Sequence, residues 1–317
     1  GMETCFVNLI EPGDEVVVCI NGVFGTRMAD LVHRLGGRLT RVEAPWGRAI
    51  DLEDVRRAVT GGSPKVVAVV HAETSTGVCT PLEDLSKIAH DAGALFLVDA
   101  VTSLAGRDVA VDSWGIDAMY GGTQKCLSCP PGLSPISLSP AALKALDSRK
   151  APVASWYLDM SMVRDYWGGN RKYHHTAPIN MVYGLREALR IVAEEGLEAR
   201  FARHRLNHLA LVDGIEAMGL SMLVPETERL PMLNTVRIPE GADDAKVRGS
   251  LLRQFGIEIG GGLGDLAGKV WRVGLMGSAS SARNVCLLLA ALETVLRNGG
   301  AKVGSGALEA AAQVYSR

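Results

Sequence analysis

Residues 65–99, KVVAVVHAETSTGVCTPLEDLSKIAHDAGALFLVD, contain the pattern that decides the fold. The continuous apolar run at 65–71 predicts a strand buried on both faces. Residues 80–83, Thr-Pro-Leu-Glu, predict a helix start as a capping box with proline at the first helical position, and Gly93 predicts its end. A second apolar run, 94–98, follows at once. Strand, helix and strand in this order predict a parallel β–α–β unit.

The same alternation extends in both directions along the chain. Further strands are predicted at 15–20, 38–42 and 117–120, and helices at 25–35 and 51–59. Apolar residues at 2, 5, 6 and 9 have helical spacing without a capping residue before them, so we expect a missing N-terminal segment. The fold class is therefore α/β, with a mostly parallel sheet covered on both faces.

A smaller C-terminal domain is predicted after a long helical stretch at 180–218, which Gly196 interrupts. Beyond it, strands at 233–238 and 269–275 accompany helices at 245–255 and 281–297. We therefore expect a large domain over 1–196 and a small α+β domain over 197–317.

Composition excludes several classes of protein. The 317 residues are 47% hydrophobic and carry a net charge of -2, which excludes a generally basic surface for nucleic acid or membranes. No apolar run approaches the roughly 18 residues that cross a bilayer. Six cysteines in so long a chain indicate a reducing compartment. The start shows no secretory signal, so we expect a cytoplasmic protein; a peroxisomal or mitochondrial address stays open if an N-terminal segment is missing.

Chemically capable side chains follow three successive predicted strands: Thr74, Asp99 and Lys125. Parallel strands end at one edge of a sheet, where ligands bind in open α/β folds. A lysine in a crevice loses hydration, its pKa falls, and the neutral amine can form a Schiff base with an aldehyde. A neighbouring carboxylate can keep a ring nitrogen protonated, as pyridoxal phosphate requires. Taken singly, Asp99 could be a turn former and Lys125 a solvated side chain.

Other motifs do not fit their usual functions. Cys126 and Cys129 form a C-x-x-C without the second pair of a structural zinc site, and the adjacent His174 and His175 point in different directions. Residues 264–270 are too short for a P-loop, and neither a dinucleotide-binding glycine motif nor a nucleophile elbow is present. We expect no metal and no nucleotide.

A series of motifs closely resembles class V aminotransferases, and within them the alanine–glyoxylate and serine–pyruvate (serine–glyoxylate) family. The resemblance implies a fold-type I pyridoxal-phosphate transferase with a seven-stranded-type sheet in the large domain. It also implies homodimers with shared active sites. The motifs are VHAETSTGV at 70–78, LVDAV at 97–101, GTQKCL at 122–127, PPG at 130–132, YHHTAP at 173–178, IGGGLG at 259–264 and GKVWRVG at 268–274.

The resemblance also implies a role for each matching residue. Phe24 could instead be a core residue, and the mid-strand Arg272 could have an internal carboxylate partner. The implied roles are a Schiff-base lysine at Lys125, a pyridine-nitrogen partner at Asp99, a ring-stacking side chain at Phe24, a contact to the ring hydroxyl side at Thr74, a phosphate ligand at Gln124, phosphate ligands of the neighbouring subunit at Tyr173 and Thr176, and a substrate-carboxylate ligand at Arg272.

The implied activity is transamination between a small amino acid, alanine or serine, and glyoxylate or pyruvate. No second cation is obviously placed for a side-chain carboxylate, which favours small donors. In relatives, a Ser/Gly loop before the first helix binds the phosphate, so its absence here puts cofactor affinity in doubt. Two alternatives are a cysteine desulfurase-like lyase, which needs a nucleophilic cysteine on a mobile loop, and a non-catalytic accessory subunit of the same fold.

Overall fold

The structure, a computed structural model, describes residues 1–169 and 171–317. The strands are β1 Glu15–Ile20, β2 Arg38–Glu43, β3 Val66–Val70, β4 Ala72–Glu73, β5 Val78–Cys79, β6 Leu95–Asp99, β7 Ala118–Tyr120, β8 Ile136–Leu138, β9 Leu233–Arg237, β10 Gly260–Gly261 and β11 Val270–Gly274. The helices are α1 Met2–Leu9, α2 Val23–Arg34, α3 Leu52–Thr60, α4 Glu83–Asp91, α5 Pro140–Asp147, α6 Met160–Trp167, α7 Ile179–Glu195, α8 Leu197–Ala217, α9 Asp244–Phe255, α10 Ala282–Asn298 and α11 Ala307–Tyr315.

The predicted β–α–β unit forms the centre of the main sheet. Strands β3 and β6 pair in parallel, with helix α4 between them in sequence, and the strand order is β2-β1-β3-β6-β7-β8. Within this sheet, the pairings among the described residues are parallel except that of β7 with β8. The mostly parallel α/β fold is thus confirmed.

The sheet has six strands among the described residues, where the resemblance implied a seven-stranded type. After β8 the chain leaves the sheet, because Ser139 caps the next helix through its side chain and Pro140 occupies the first turn.

Both faces of the sheet are buried, which explains the continuous apolar runs. Along β1, Val16 and Val18 pack into one core cluster, whereas Val17 and Cys19 pack into another on the opposite face. This alternation follows from the period of two along a strand. The long apolar strands could therefore be located from sequence to within one or two residues.

The predicted capping box at the start of α4 is wrong. The helix begins at Glu83 and its N-cap is Leu82, without a side-chain hydrogen bond. The hydroxyl of Thr80 instead accepts a hydrogen bond from the Asn21 amide at 3.4 Å, so a tertiary contact takes the place of the predicted local one.

The C-terminal part forms a second core around the antiparallel sheet β10-β11-β9. Helices α8, α9, α10 and α11 contribute buried side chains to this core. The predicted break is confirmed: α7 ends at Glu195, and Gly196, with φ +80°, separates it from α8. A domain boundary at this glycine stays a prediction. Among the described residues, no helix combines the length and apolarity that crossing a bilayer requires.

Candidate active site

A cavity of about 490 Å³ lies at the C-terminal edge of the main sheet. Its walls include five of the predicted site residues, which come from separate parts of the chain. The parallel strands explain this convergence, because their carboxyl ends share an edge. The five residues are Phe24, Thr74, Asp99, Gln124 and Lys125.

Asp99 is the last residue of β6 and only 4% exposed. One carboxylate oxygen, Oδ1, accepts from the backbone N–H of Val101 at 2.9 Å, and Oδ2 accepts from the hydroxyl of Tyr120 at 2.7 Å. Burial raises the pKa of Asp99 to about 6, although these hydrogen bonds favour its charged form. The carboxylate is therefore fixed in orientation and would gain from a positively charged partner in the cavity.

Lys125 lies in the turn after β7 and is half-buried. Burial lowers the pKa of its ammonium group, and the nearby positive charge of Arg272 lowers it further. The turn is closed by a hydrogen bond from the Ser128 N–H to the Lys125 carbonyl at 2.9 Å, and Arg200 donates to the next carbonyl, that of Cys126. A lowered pKa favours the neutral amine, which on a fixed turn is suited to nucleophilic and proton-transfer chemistry.

Phe24 lies in the first turn of α2 and is half-buried. Its side chain both packs against a core cluster and lines the cavity, so the core interpretation and the site interpretation each hold in part. The guanidinium of Arg27, one turn further along, lies 5.1 Å from the Phe24 ring centre. The cavity therefore has one aromatic wall with a cation beside it.

Arg272 lies in β11 of the small sheet and reaches the turn between β4 and β5. Its Nε donates to the Gly261 carbonyl at 2.7 Å and its Nη1 to the Thr74 carbonyl at 3.0 Å. These partners are carbonyl oxygens, so the hydrogen bonds give no support to the alternative of an internal carboxylate. Arg272 is not itself in the wall of the cavity, but it is bonded to Thr74, which is.

Tyr173 and Thr176 are not brought to this cavity. Their side-chain oxygens lie 3.0 Å apart, and Tyr173 is 69% exposed. Between them, His174 stacks on Trp156 with ring centres 4.2 Å apart, and its Nδ1 lies 2.8 Å from Nδ1 of His175. The two histidines thus contact each other and the aromatic residues around them.

The thiols of the C-x-x-C motif are buried. Cys126 donates a hydrogen bond from its Sγ to the Thr102 carbonyl at 3.1 Å, and burial raises the pKa of this thiol to about 12. Burial raises the pKa of the Cys129 thiol as well. Low-pKa, accessible thiols are the reactive ones, so neither is suited to act as a nucleophile.

Three residues with contacts at the site were missed in the sequence. Tyr120 holds Asp99, Glu73 holds the turn carrying Phe24, and Arg27 is a second cation in the cavity wall. Because Arg27 lies against the Phe24 ring, the expectation that no second cation is placed for a substrate side-chain carboxylate stays a prediction. A signal was present for Glu73, a lone carboxylate three positions after the fully apolar strand β3, and for Tyr120, which is the last residue before a glycine-rich turn.

The fold and the cavity together define an α/β protein with an amine and a carboxylate at the ends of neighbouring parallel strands. The chain belongs to the class-V aminotransferases: the model of that family, Aminotransferase class-V, matches residues 2–271. It is an enzyme of the aminotransferase type.

Individual relatives resemble the chain over most of its length. It is 42% identical to (S)-ureidoglycine–glyoxylate transaminase of Bacillus subtilis, over 99% of this chain and 80% of that protein. A crystal structure of ureidoglycine-glyoxylate aminotransferase from B. subtilis has a TM-score of 0.97 at 44% identity and covers 100% of this chain and 82% of that one. A crystal structure of alanine–glyoxylate aminotransferase from Nostoc sp. has a TM-score of 0.92 at 48% identity, with coverages of 93% and 78%.

Proposed function

We propose that the chain uses pyridoxal 5'-phosphate to transfer an amino group from a small amino donor, alanine or serine, to glyoxylate or pyruvate. The observation that carries the proposal is that the Lys125 amine and the Asp99 carboxylate share the walls of one cavity. The names of the relatives, with glyoxylate as a common element, support the acceptor.

The residues present fit this cofactor. A cavity of about 490 Å³ is of the size that small-molecule sites occupy, and Phe24 offers a ring face to an aromatic ligand. Gln124 and the N-terminal end of α1 line the same cavity, and a helix N-terminus favours a phosphate. Asp99 matches a ring nitrogen, and Lys125 matches an aldehyde.

When bound, the cofactor supplies an aldehyde that reacts with amines and a cationic ring that withdraws electrons from the substrate α-carbon. The carboxylate of Asp99 holds the proton of the ring nitrogen. The Nζ of Lys125, whose pKa burial lowers, would take the proton from the α-carbon of the donor and pass it to the carbon that carried the aldehyde oxygen of the cofactor. Arg272 orients donor and acceptor through the carboxylate they have in common.

A second copy of the chain completes the site in this proposal. Tyr173 and Thr176 lie outside the cavity of their own chain, and large apolar side chains of the same segment are exposed: Trp156, Tyr157, Trp167, Ile179 and Tyr183. Such a patch is typical of an interface between subunits. In the homodimer, Tyr173 and Thr176 would reach the phosphate of the neighbouring site. We place the enzyme in the cytoplasm, which its free cysteines support.

The two alternatives have less support. A desulfurase needs an accessible thiolate, whereas Cys126 and Cys129 are buried with raised pKa values. An accessory subunit would have no need to keep Lys125 and Asp99 in one cavity with Arg272 nearby, where the Arg272 guanidinium donates to backbone carbonyls.

The experiment that tests the function compares wild type with Lys125→Ala and with Lys87→Ala, a surface lysine paired with Asp84. Each protein is incubated with pyridoxal phosphate, reduced with borohydride and examined by absorbance and mass spectrometry. Wild type and Lys87→Ala should retain one covalently fixed cofactor per chain, and Lys125→Ala none. Amino transfer to glyoxylate is then assayed with alanine, serine and (S)-ureidoglycine.

Fixation of the cofactor on Lys125→Ala would contradict the lysine assignment. A wild type that neither takes up the cofactor nor transfers an amino group would contradict the proposed function as a whole. Transfer from (S)-ureidoglycine alone would contradict only the small-amino-acid donor.

A further inference from the structure

Glu73 is a fully buried carboxylate that accepts four hydrogen bonds. Its Oε2 accepts from the backbone N–H groups of Phe24 at 3.1 Å and Gly25 at 3.3 Å. Its Oε1 accepts from the backbone N–H of Ser75 at 3.1 Å and from the Ser75 hydroxyl at 2.6 Å. The side chain is 0% exposed, and burying a carboxylate is costly unless donors compensate it in this way.

On one side, Glu73 takes the place of an N-cap for helix α2. The N-cap residue itself, Gly22, provides no side-chain hydrogen bond, and Glu73 reaches the first-turn N–H groups from another element. A Cβ on Gly22 would lie 2.5 Å from the Glu73 side chain and 2.4 Å from the Ser75 hydroxyl. The backbone at Gly22, just before the first turn of α2, therefore packs too closely against Glu73 and Ser75 to leave room for a side chain.

On the other side, Glu73 begins the turn that holds Arg272. The N–H of Gly77 donates to the Glu73 carbonyl at 2.7 Å, which closes the turn over residues 73–77. The carbonyl of Thr74, inside this turn, accepts from Arg272 Nη1 at 3.0 Å. Burial lowers the pKa of the Arg272 guanidinium, and the charge of Glu73 opposes that shift.

We propose that Glu73 is a positioning residue. It fixes two segments relative to each other: the first turn of α2, which carries Phe24, and the turn over residues 73–77, whose Thr74 carbonyl binds Arg272. It is not among the residues that line the cavity, and it acts through the backbone of residues 22–25 and 73–77. This inference rests on the proposed function, because Phe24 and Arg272 have their roles there. If the inference holds, one buried carboxylate determines the positions of both Phe24, which would stack on the cofactor ring, and Arg272, which would bind the substrate carboxylate.

An amide cannot replace this carboxylate. Four donors converge on two oxygens, so the NH₂ group of a glutamine would face N–H or O–H donors on one side. An aspartate keeps the charge, but its shorter side chain cannot reach both sets of donors at once. Glu73→Gln and Glu73→Asp therefore separate the loss of charge from the loss of reach.

The matched control is Glu228→Gln. Glu228 also accepts a backbone N–H, that of Ala49 at 2.6 Å, and pairs with Arg48 at 2.9 Å, but it lies outside the cavity. For each variant, pyridoxal phosphate affinity is measured by absorbance titration, and the environment of the bound cofactor by circular dichroism in the visible range. The melting temperature, and KM and kcat for alanine and glyoxylate, are measured on the same preparations.

Loss of even one hydrogen bond to a charged group predicts cofactor binding about tenfold or more weaker in Glu73→Gln. We also expect an altered visible dichroic band and a KM that rises more than kcat falls, with Glu73→Asp between it and wild type. Glu228→Gln should match wild type in cofactor affinity, in the visible dichroic band and in KM. A purely structural role would lower the melting temperature without moving the dichroic band or separating KM from kcat.

If Glu73→Gln equals Glu228→Gln in cofactor affinity, dichroism and KM, the inference is wrong while the proposed function stands. If Glu73→Gln does not fold, Glu73→Asp decides by the same comparison, and a wild-type dichroic band and KM in that variant overturn the inference. A wild type without cofactor binding would instead overturn the proposed function.

Discussion

Arg272→Ala should weaken the use of every carboxylate substrate. The guanidinium has five N–H donors, and the structure commits one at Nε and one at Nη1 to backbone carbonyls. Three N–H groups remain, both of Nη2 and one of Nη1, and two of them suit a substrate carboxylate in the bidentate arrangement. Two hydrogen bonds to a charged group contribute about 3–6 kcal/mol if their energies add. Because the energies of neighbouring contacts do not add fully, we expect Arg272→Ala to lose about 3–4 kcal/mol of substrate binding.

That loss corresponds to a decrease in kcat/KM of about 10²–10³-fold for alanine and for glyoxylate alike. Because the carboxylate contact is the same in the ground and transition states, KM should carry most of the change. Steady-state assays of Arg272→Ala and Arg272→Lys test this, with Arg297→Ala as the control, since Arg297 pairs with Glu293 on helix α10. The kcat/KM of Arg272→Lys should lie between the values of wild type and Arg272→Ala. An unchanged KM for both substrates in Arg272→Ala would refute the role of this arginine.

Two further predictions concern protonation and the dimer. Burial raises the pKa of Asp99 from 3.8 to about 6, so the folded, cofactor-free protein binds a proton more tightly than the unfolded chain. Protonation of Asp99 therefore contributes up to about 3 kcal/mol to the free energy of unfolding below about pH 4, and this contribution is lost as the pH rises to about 6. Urea unfolding at pH 4.5 and 7 measures this dependence, and Asp99→Asn should abolish it. For the dimer, refolded mixtures of Lys125→Ala and Tyr173→Ala subunits should regain roughly a quarter of wild-type activity, because half of the dimers would contain one intact site. A Tyr173 that served its own subunit would leave every hybrid without an intact site and the mixture inactive.

The main sheet could be predicted because its strands are buried on both faces. An apolar run such as 66–70 is short and rich in the β-branched residue valine, which favours a buried strand over a buried helix segment, and its ends are marked by polar residues. Helix α6, Met160–Trp167, was not predicted, because none of its residues is buried and it has no apolar face toward a core. Helix α5 has a sequence signal at its start, because Ser139 is a capping residue and Pro140 follows it at the first helical position.

The site was predictable only in part. The strand-end positions of Asp99 and Lys125 follow from parallel topology, whereas the roles of Phe24, Gln124 and Arg272 came from the family resemblance. Contacts such as those from Glu73 to the backbone of Phe24, 49 positions away, leave no periodicity in the sequence. A side chain whose partners are distant backbone N–H groups becomes visible only when the fold brings the two segments together.

The charges at the site oppose one another in a way that favours the proposed ligand. Asp99 and Glu73 are both buried, and the charge of Glu73 adds to the burial that raises the pKa of Asp99. Lys125 and Arg272 are both half-buried, and the charge of Arg272 adds to the burial that lowers the pKa of Lys125. Each functional group is thus pushed toward its neutral form by desolvation and by a like charge. A cationic ring nitrogen beside Asp99 would reverse the first effect, and an aldehyde is the partner that a neutral Lys125 amine can use. Without cofactor, burial and a like charge destabilise the ionised forms of both Asp99 and Lys125. One bound cofactor would remove both effects, and the free energy released would contribute to its binding.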